Sequence, residues 1–419
     1  MLNYFYCSLT QFSLHSQILF LVIFLLILAS LHFKSPTHCV CCYLLFYTSF
    51  WGFGSTEVLV SGTDVGTFAI NITLAILLFF KCGYSICFDK LTRFSIAFFL
   101  VFYFYGLIKP VYDGNQNILM SIKASKSFLT YIFFFYLLLF RKYLDFNVIF
   151  RFFILTSLYF SSLYLLEIAG VKLVPPFYAK ATTLQCHFDS FLPFSIILLF
   201  YYNYIGESSN YWKLKVLVLC LGVILSGYFS LAVTTLCAIA VLSFYKKTIS
   251  LSQTAFLCLF LLMFVLAFVL IFYDSDWFLD IVKGQSNSLI SRDKNNEYRW
   301  QIINANFLGG VGFLYKSSSL LRSFGGTGYK ETLSFIDAGY VDLLGRFGVI
   351  GLLLFLFYPF KILFNSLRFP YLFPFTFLII QFVAVNYTWS VFSYPMGILV
   401  LSLVYVFVIN ELDMYKNYG

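Results

Sequence analysis

The chain has 419 residues, of which 61% are hydrophobic, 22% aromatic and only 11% charged, and its mean hydropathy is +0.88. A soluble domain is about 45–50% apolar and about 25% charged, so this composition excludes a water-soluble globule and makes lipid the main solvent. The formal charge of +9 has no Lys- or Arg-rich tail behind it. That sets nucleic acid aside as a partner and points instead to basic residues gathered in cytoplasmic loops.

A spanning helix needs about 20 mostly apolar residues, and crowded bundles tolerate fewer. On that rule spans are predicted near 17–33, 39–53, 65–80, 94–108, 127–140, 148–168, 190–205, 214–229, 231–245, 254–273, 338–360, 370–388 and 395–411. The fold class is therefore all-α, a polytopic bundle of about 12–13 transmembrane helices. Residues 1–273 form the first part of the bundle, 274–337 one large polar loop, and 338–419 the last three spans. The stretch 214–245 reads as a short pair hinged at Ser226-Gly227 or as one broken helix. The first apolar run, Gln17 to Phe33, has no basic flank before it and no small-residue cleavage site after it, so no cleavable signal peptide is expected. Cys39, Cys41 and Cys42 carry a CxxC spacing beside His38, but no second ligand pair follows, so no metal is expected. The Asn-x-Thr triplets at Asn71 and Asn386 fall in or beside apolar spans and carry no functional reading.

Charge sets the expected orientation. With a cytoplasmic C-terminus and alternating helices, 14 of the 27 basic residues fall in inner segments and six in short outer ones. The other seven lie in the long loop 274–337, and long loops translocate regardless of charge. The long loop is therefore expected outside, together with the shorter loops 109–126 and 169–189.

Within the long loop Arg292, Lys294 and Arg299 precede an amphipathic run from Trp300 to Phe307. A glycine turn follows, Gly309-Gly310-Val311-Gly312. Then Lys316, Arg322 and Lys330 surround a second turn, Gly325-Gly326-Thr327-Gly328. Arginine presents a planar fork of donors suited to phosphate or carboxylate oxygens, and glycine turns let backbone N–H groups approach an anion. Together they suit a lipid-linked phosphate or diphosphate. Asp337 and Asp342 stand at the mouth of the 338–360 helix, and Asp342 and Arg346 are i,i+4 neighbours on one face. That pair reads either as a structural ion pair or as a base with a phosphate-holding partner. The chain has no P-loop, nucleophile elbow, HExxH or GxGxxG, and no cofactor is expected.

In this region the chain resembles the bacterial O-antigen polymerase family (Wzy-type), within the O-antigen ligase/polymerase group. The resemblance rests on Glu297-Tyr298-Arg299-Trp300, then Gly310-Val311-Gly312-Phe313, then Asp337-Ala338-Gly339-Tyr340-Val341-Asp342-Leu343-Leu344. Gly348-Val349-Ile350-Gly351 then opens a Leu/Phe-rich helix. The motifs are loose, and their order inside a late outer loop of a polytopic chain carries the likeness. It implies a metal-independent glycosyltransferase of the bacterial inner membrane, working in lipopolysaccharide O-antigen biosynthesis. Such enzymes join undecaprenyl-diphosphate-linked oligosaccharide units at the periplasmic face, and a chain-length regulator is an implied partner. Carried over by position, Arg299 would hold the donor diphosphate, with Arg292, Arg322 and Arg346 as lesser candidates. Asp337 or Asp342 would be the acid or base at the acceptor hydroxyl. Ligases of the group tend to carry His where this chain has Asp337, which favours polymerase over ligase. The alternatives are an O-antigen ligase or related polysaccharide polymerase and, from another class, a lipid-linked oligosaccharide flippase or transporter.

Overall fold

The computed structural model describes residues 14–47, 59–60, 63–80, 84, 86, 88–168, 179–180, 183–184, 191–225, 229–245, 297, 299–315, 318–324, 339–386 and 391–418. These residues are helical apart from turns and two antiparallel pairs of two-residue strands, Leu59–Val60 with Thr63–Asp64 and Ala179–Lys180 with Thr183–Leu184. In chain order the helices are α1 (Leu14–Lys34), α2 (Pro36–Tyr47), α3 (Val65–Leu77), α4 (Lys90–Tyr112), α5 (Ile118–Ala124), α6 (Tyr131–Phe140), α7 (Phe146–Ile168), α8 (Phe191–Tyr204), α9 (Trp212–Leu225) and α10 (Phe229–Tyr245). There follow α11 (299–305), α12 (Ser319–Phe324), α13 (Gly339–Arg368), α14 (Phe373–Val385) and α15 (Pro395–Tyr418).

Local chemistry sets several boundaries. Asp89 caps α4 by accepting from the Thr92 backbone N–H, and Asn117 caps α5 by accepting from that of Met120, each satisfying an otherwise orphaned helix donor. Pro36 opens α2, where its missing N–H removes no helical bond.

Among the described residues four helical segments are long and apolar enough to cross a membrane: Lys90–Tyr112, Phe146–Leu166, Gly339–Arg368 and Pro395–Asp413. A fifth arises if Ile118–Ala124 and Lys126–Tyr143, bent by 57°, form one broken span. Within the expected spans at 39–53, 65–80, 190–205 and 370–388 the described helices have 12 to 14 residues, and 48–53, 190 and 387–388 lie outside the described residues. After α3 the apolar run continues through the turn at Phe79 and Phe80, so hydropathy outlasts that helix. The stretch 214–245 gives two helices, α9 and α10, which pack together. The expected span 254–273 lies outside the described residues.

Helices α6 and α8 are buried on almost every face, the pattern of a bundle centre. By contrast α1, α4, α7 and α13 present large apolar side chains outward, among them Leu26, Val101, Leu155 and Leu353. An exterior of this kind is matched to lipid rather than water.

Contacts sort the chain into two ends. At one end Arg141, just after α6, donates through Nη2 to Asp89 at 3.0 Å and Asp413 at 3.2 Å, tying α4, α6 and α15 together. At the opposite end the 113–117 turn, residues 306–315 and 318–319, the start of α13, Asn386 and residues 391–394 come together.

Candidate functional site

The second end is built on freed backbone carbonyls. Pro110 lies inside α4 and has no N–H to give the carbonyl four residues back. That carbonyl, Gly106 O, instead accepts from the Phe313 N–H at 2.8 Å. A larger break occurs in α13, where Gly348 adopts φ 64°, ψ −169°. In an unbroken helix Val349 and Ile350 would donate to Gly345 and Arg346. Here Gly345 O accepts from Val311 N at 2.8 Å and Arg346 O from Gly312 N at 2.9 Å. On the other side of the break, Val349 N donates to Phe307 O at 2.9 Å and Ile350 N to Leu308 O at 3.4 Å. The segment 307–313 is thus inserted into the helix ladder. It satisfies both lips of a break that would be costly inside a membrane protein.

This insertion explains the glycine turn. Gly310 and Gly312 have φ of 69° and 76°, a region that side chains other than glycine enter at a cost of about 1–2 kcal/mol. A Cβ on Gly310 would meet the Arg346 backbone, one on Gly312 the Gly106 carbonyl, and one on Gly348 the Leu308 carbonyl. The expectation that this turn offers its amides to an anion is corrected. The N–H groups of Gly310, Val311, Gly312 and Phe313 are spent on Asn306, Gly345, Arg346 and Gly106. The second turn, Gly325 to Gly328, lies outside the described residues.

The break divides α13 into a long arm and a short one. The arm after Gly348 has about 20 residues, enough at 1.5 Å per residue to cross a bilayer alone. The short arm, 339–347, carries Asp342 and Arg346. Arg346 Nε donates to Asp342 Oδ1 at 2.6 Å, as the i,i+4 spacing requires. Asp342 is entirely buried and the Arg346 side chain is 12% exposed. The Arg346 guanidinium also lies 5.8 Å from the centre of the Phe313 ring, a cation–π contact. Phe313 is itself held by Gln116, which donates to its carbonyl and accepts from Tyr315 N–H, both near 2.8 Å.

Arg299 lies on the buried face of α11 and is 1% exposed, the largest of the fully buried side chains. One turn on, Ile302 packs with Val311, Leu321 and Val341, which joins α11 to the short arm of α13. Arg322 lies in α12, with its side chain outside the described residues. Arg292 and Asp337 lie outside them altogether.

Among the buried polar atoms with no hydrogen-bond partner among the described residues are Asp342 Oδ2, Asn386 Nδ2 and Ser393 Oγ. Each orphaned atom costs about 1–3 kcal/mol. Asn386 was given no role by its sequence motif. The available signal was an amide in an otherwise apolar run, Phe382 to Val385, at a helix end.

Beside this end an aromatic cavity lies between α4, α6, α13 and α15. Its walls include Phe98, Phe99, Phe134, Phe355 and Tyr358, with Ser95 and Ser402 among its few hydroxyls. Tyr131 lines it as well.

No protein-family model matches the chain, and no curated protein matches it in sequence.

Proposed function

We propose that this chain is a polytopic glycosyltransferase of about 12–13 spans in a bacterial inner membrane. It polymerises undecaprenyl-diphosphate-linked oligosaccharide units at the periplasmic face, where loop 274–337 lies, while its C-terminus is cytoplasmic. The observation that carries the reading is the Asp342–Arg346 pair. A buried carboxylate has one oxygen fixed by a guanidinium and the other uncommitted, at a helix break beside an aromatic cavity. That suits an acceptor hydroxyl near the carboxylate and an apolar carrier chain against aromatic rings.

In the proposed step the acceptor hydroxyl oxygen attacks the anomeric carbon of the donor sugar. The bond from that carbon to the diphosphate oxygen breaks, and the diphosphate lipid departs with the electron pair. Asp342 takes the hydroxyl proton, as general-base work requires of a carboxylate within hydrogen-bond reach. Arg346 positions Asp342, and Arg299 is assigned to the diphosphate. Arg292, Arg322 and Asp337 keep their proposed supporting roles.

A transporter is disfavoured by the break itself. Transporters use the freed groups of discontinuous helices to bind cargo, whereas here segment 307–313 consumes the severed Gly345 and Arg346 carbonyls and the Val349 and Ile350 amides. Deleting the gene in its host separates the remaining readings. A polymerase leaves lipopolysaccharide carrying single repeats, and a ligase leaves none. Unchanged long-chain O antigen would end the proposal.

A further inference from the structure

The segment that enters the α13 break also carries an apolar face. Trp300, Phe307 and Leu308 are 43%, 48% and 66% exposed, while Arg299, Ile302 and Ile303 are buried on the other side of α11. Left in water, such a face forfeits about 25 cal/mol for each Å² of apolar surface. Three observations say what covers it.

The first is continuity. Phe307 O and Leu308 O accept from Val349 N and Ile350 N of α13, and a Cβ on Gly309 would meet the Tyr105 hydroxyl of α4. Both helices are long and apolar enough to cross a membrane. Beside the join, Phe104 and Ile108 of α4 and Ile350 and Leu353 of α13 are each more than half exposed. The exposed face continues along α13 to Phe357, so whatever covers the segment covers a spanning helix as well.

The second is depth. The Lys109–Asp113 ion pair, at 2.8 Å, closes α4, and no charged residue lies between Arg93 and Lys109. From Lys90 to Lys109 an α-helix rises about 28 Å, close to the hydrocarbon thickness of about 30 Å. Gly106, whose carbonyl accepts from Phe313 N, stands about 4.5 Å inside Lys109. The segment therefore meets α4 at the hydrocarbon margin and not above it.

The third is the backbone. Irregular chain is tolerated at membrane depth only where its polar groups are satisfied within the protein. The carbonyls of Phe307 and Leu308 and every amide from Gly310 to Phe313 are hydrogen-bonded to protein. A loop standing in water has no such requirement, since water would serve.

We infer that Trp300, Phe307 and Leu308 form a foot seated in bilayer lipid, at the hydrocarbon margin of this end of the bundle. Trp300 suits the headgroup level, with an apolar ring and one N–H donor, and Leu308 meets the acyl chains beside Ile350. The partner is the lipid surface, because the foot extends an exterior that lipid already covers. Part of the long polar stretch thus lies in the membrane. The inference does not depend on the reaction proposed above.

The test places a single nitroxide label on full-length, cysteine-free protein in phosphatidylethanolamine–phosphatidylglycerol vesicles. Phe307→Cys and Leu308→Cys report on the foot, and Leu353→Cys on the exterior of a spanning helix. Tyr112→Cys, beyond Lys109 and 85% exposed, reports on water. Oxygen concentrates in hydrocarbon, whereas chromium oxalate, an anion, stays in water. Labels at 307 and 308 are expected to collide with oxygen as the 353 label does. They should collide with chromium oxalate at least about tenfold less than the 112 label, as exclusion of an ion from hydrocarbon requires. Chromium oxalate collisions equal to those at 112 would overturn the foot and stand the segment in water. Shielding of both labels from both reagents would also overturn it, by showing that protein covers the face. Each position is read separately, with unfolding temperature as the check on folding, so that one misfolded variant leaves the other to decide.

Discussion

A glycine within a helix costs about 1 kcal/mol relative to alanine, yet Gly348 occupies the middle of an otherwise strong helix former. Its φ of 64° and the Leu308 carbonyl where a Cβ would stand show why alanine cannot replace it. Gly348→Ala is expected to destabilise by more than about 2 kcal/mol, since left-handed strain alone is about 1–2 kcal/mol and the clash adds to it. Gly114, at φ 70° but with open space around it, isolates the strain component. Thermal unfolding in detergent should show Gly348→Ala clearly below Gly114→Ala, and equal losses would contradict the insertion of segment 307–313. At the opposite end, burial raises the Asp89 carboxyl, but hydrogen bonding from Thr92 and the Arg141 guanidinium outweighs this and holds it below the usual carboxylate range. A depressed folded pKa stabilises above the unfolded value and loses that effect as pH falls through the folded one. The gap in unfolding temperature between wild type and Asp89→Asn should therefore be constant near neutrality. It should narrow through the carboxylate range and close below it, and a gap that widened with acid would refute the clamp. At this scale the sequence was informative about pairing: i,i+4 spacing joined Asp342 to Arg346. It was silent on Asn386 and Ser393, because orphaned atoms exist only once distant turns meet.

At the scale of elements, the join between segment 307–313 and α13 is the feature hydropathy could not reveal. Arg346 to Ile350 reads as continuous helix, and the glycine turn reads as a surface loop suited to anions. Both readings fail for one reason. Backbone groups freed by Pro110 and Gly348 are satisfied by chain far away in sequence, and periodicity carries no information about such partners. The join predicts that the Val311, Gly312 and Val349 amides exchange with deuterium as slowly as core helix amides, since their bonds are buried. Exchange at the rate of an open loop would contradict it. Helix boundaries were more legible, because caps such as Asp89 and Asn117 act through neighbours in the chain. The length at α3 was overestimated, because apolar residues continue past its end at Phe79 and Phe80.

At the scale of the whole molecule, composition was sufficient to read an apolar helical bundle. Arg141, assigned by charge to one side, meets Asp89 and Asp413. Lys109, assigned to the other, belongs to the end that holds Phe313 and Asp342. Single cysteines at 115 and 416 in a cysteine-free background should label from opposite faces with an impermeant maleimide, 115 from the periplasm. Labelling from one face would overturn the topology.

The central claim is the chemistry of the buried pair, and purified protein supplied only with lipid-linked repeat unit tests it most directly. The account predicts a ladder of lengthening glycans without nucleotide sugar. Asp342→Asn should slow the reaction about 10²–10⁴-fold, the range of general-base catalysis, and Arg299→Ala about 10²–10³-fold, the range of a lost charge-stabilising donor. A folded wild-type protein that produced no ladder, or an Asp342→Asn variant that produced a normal one, would contradict it.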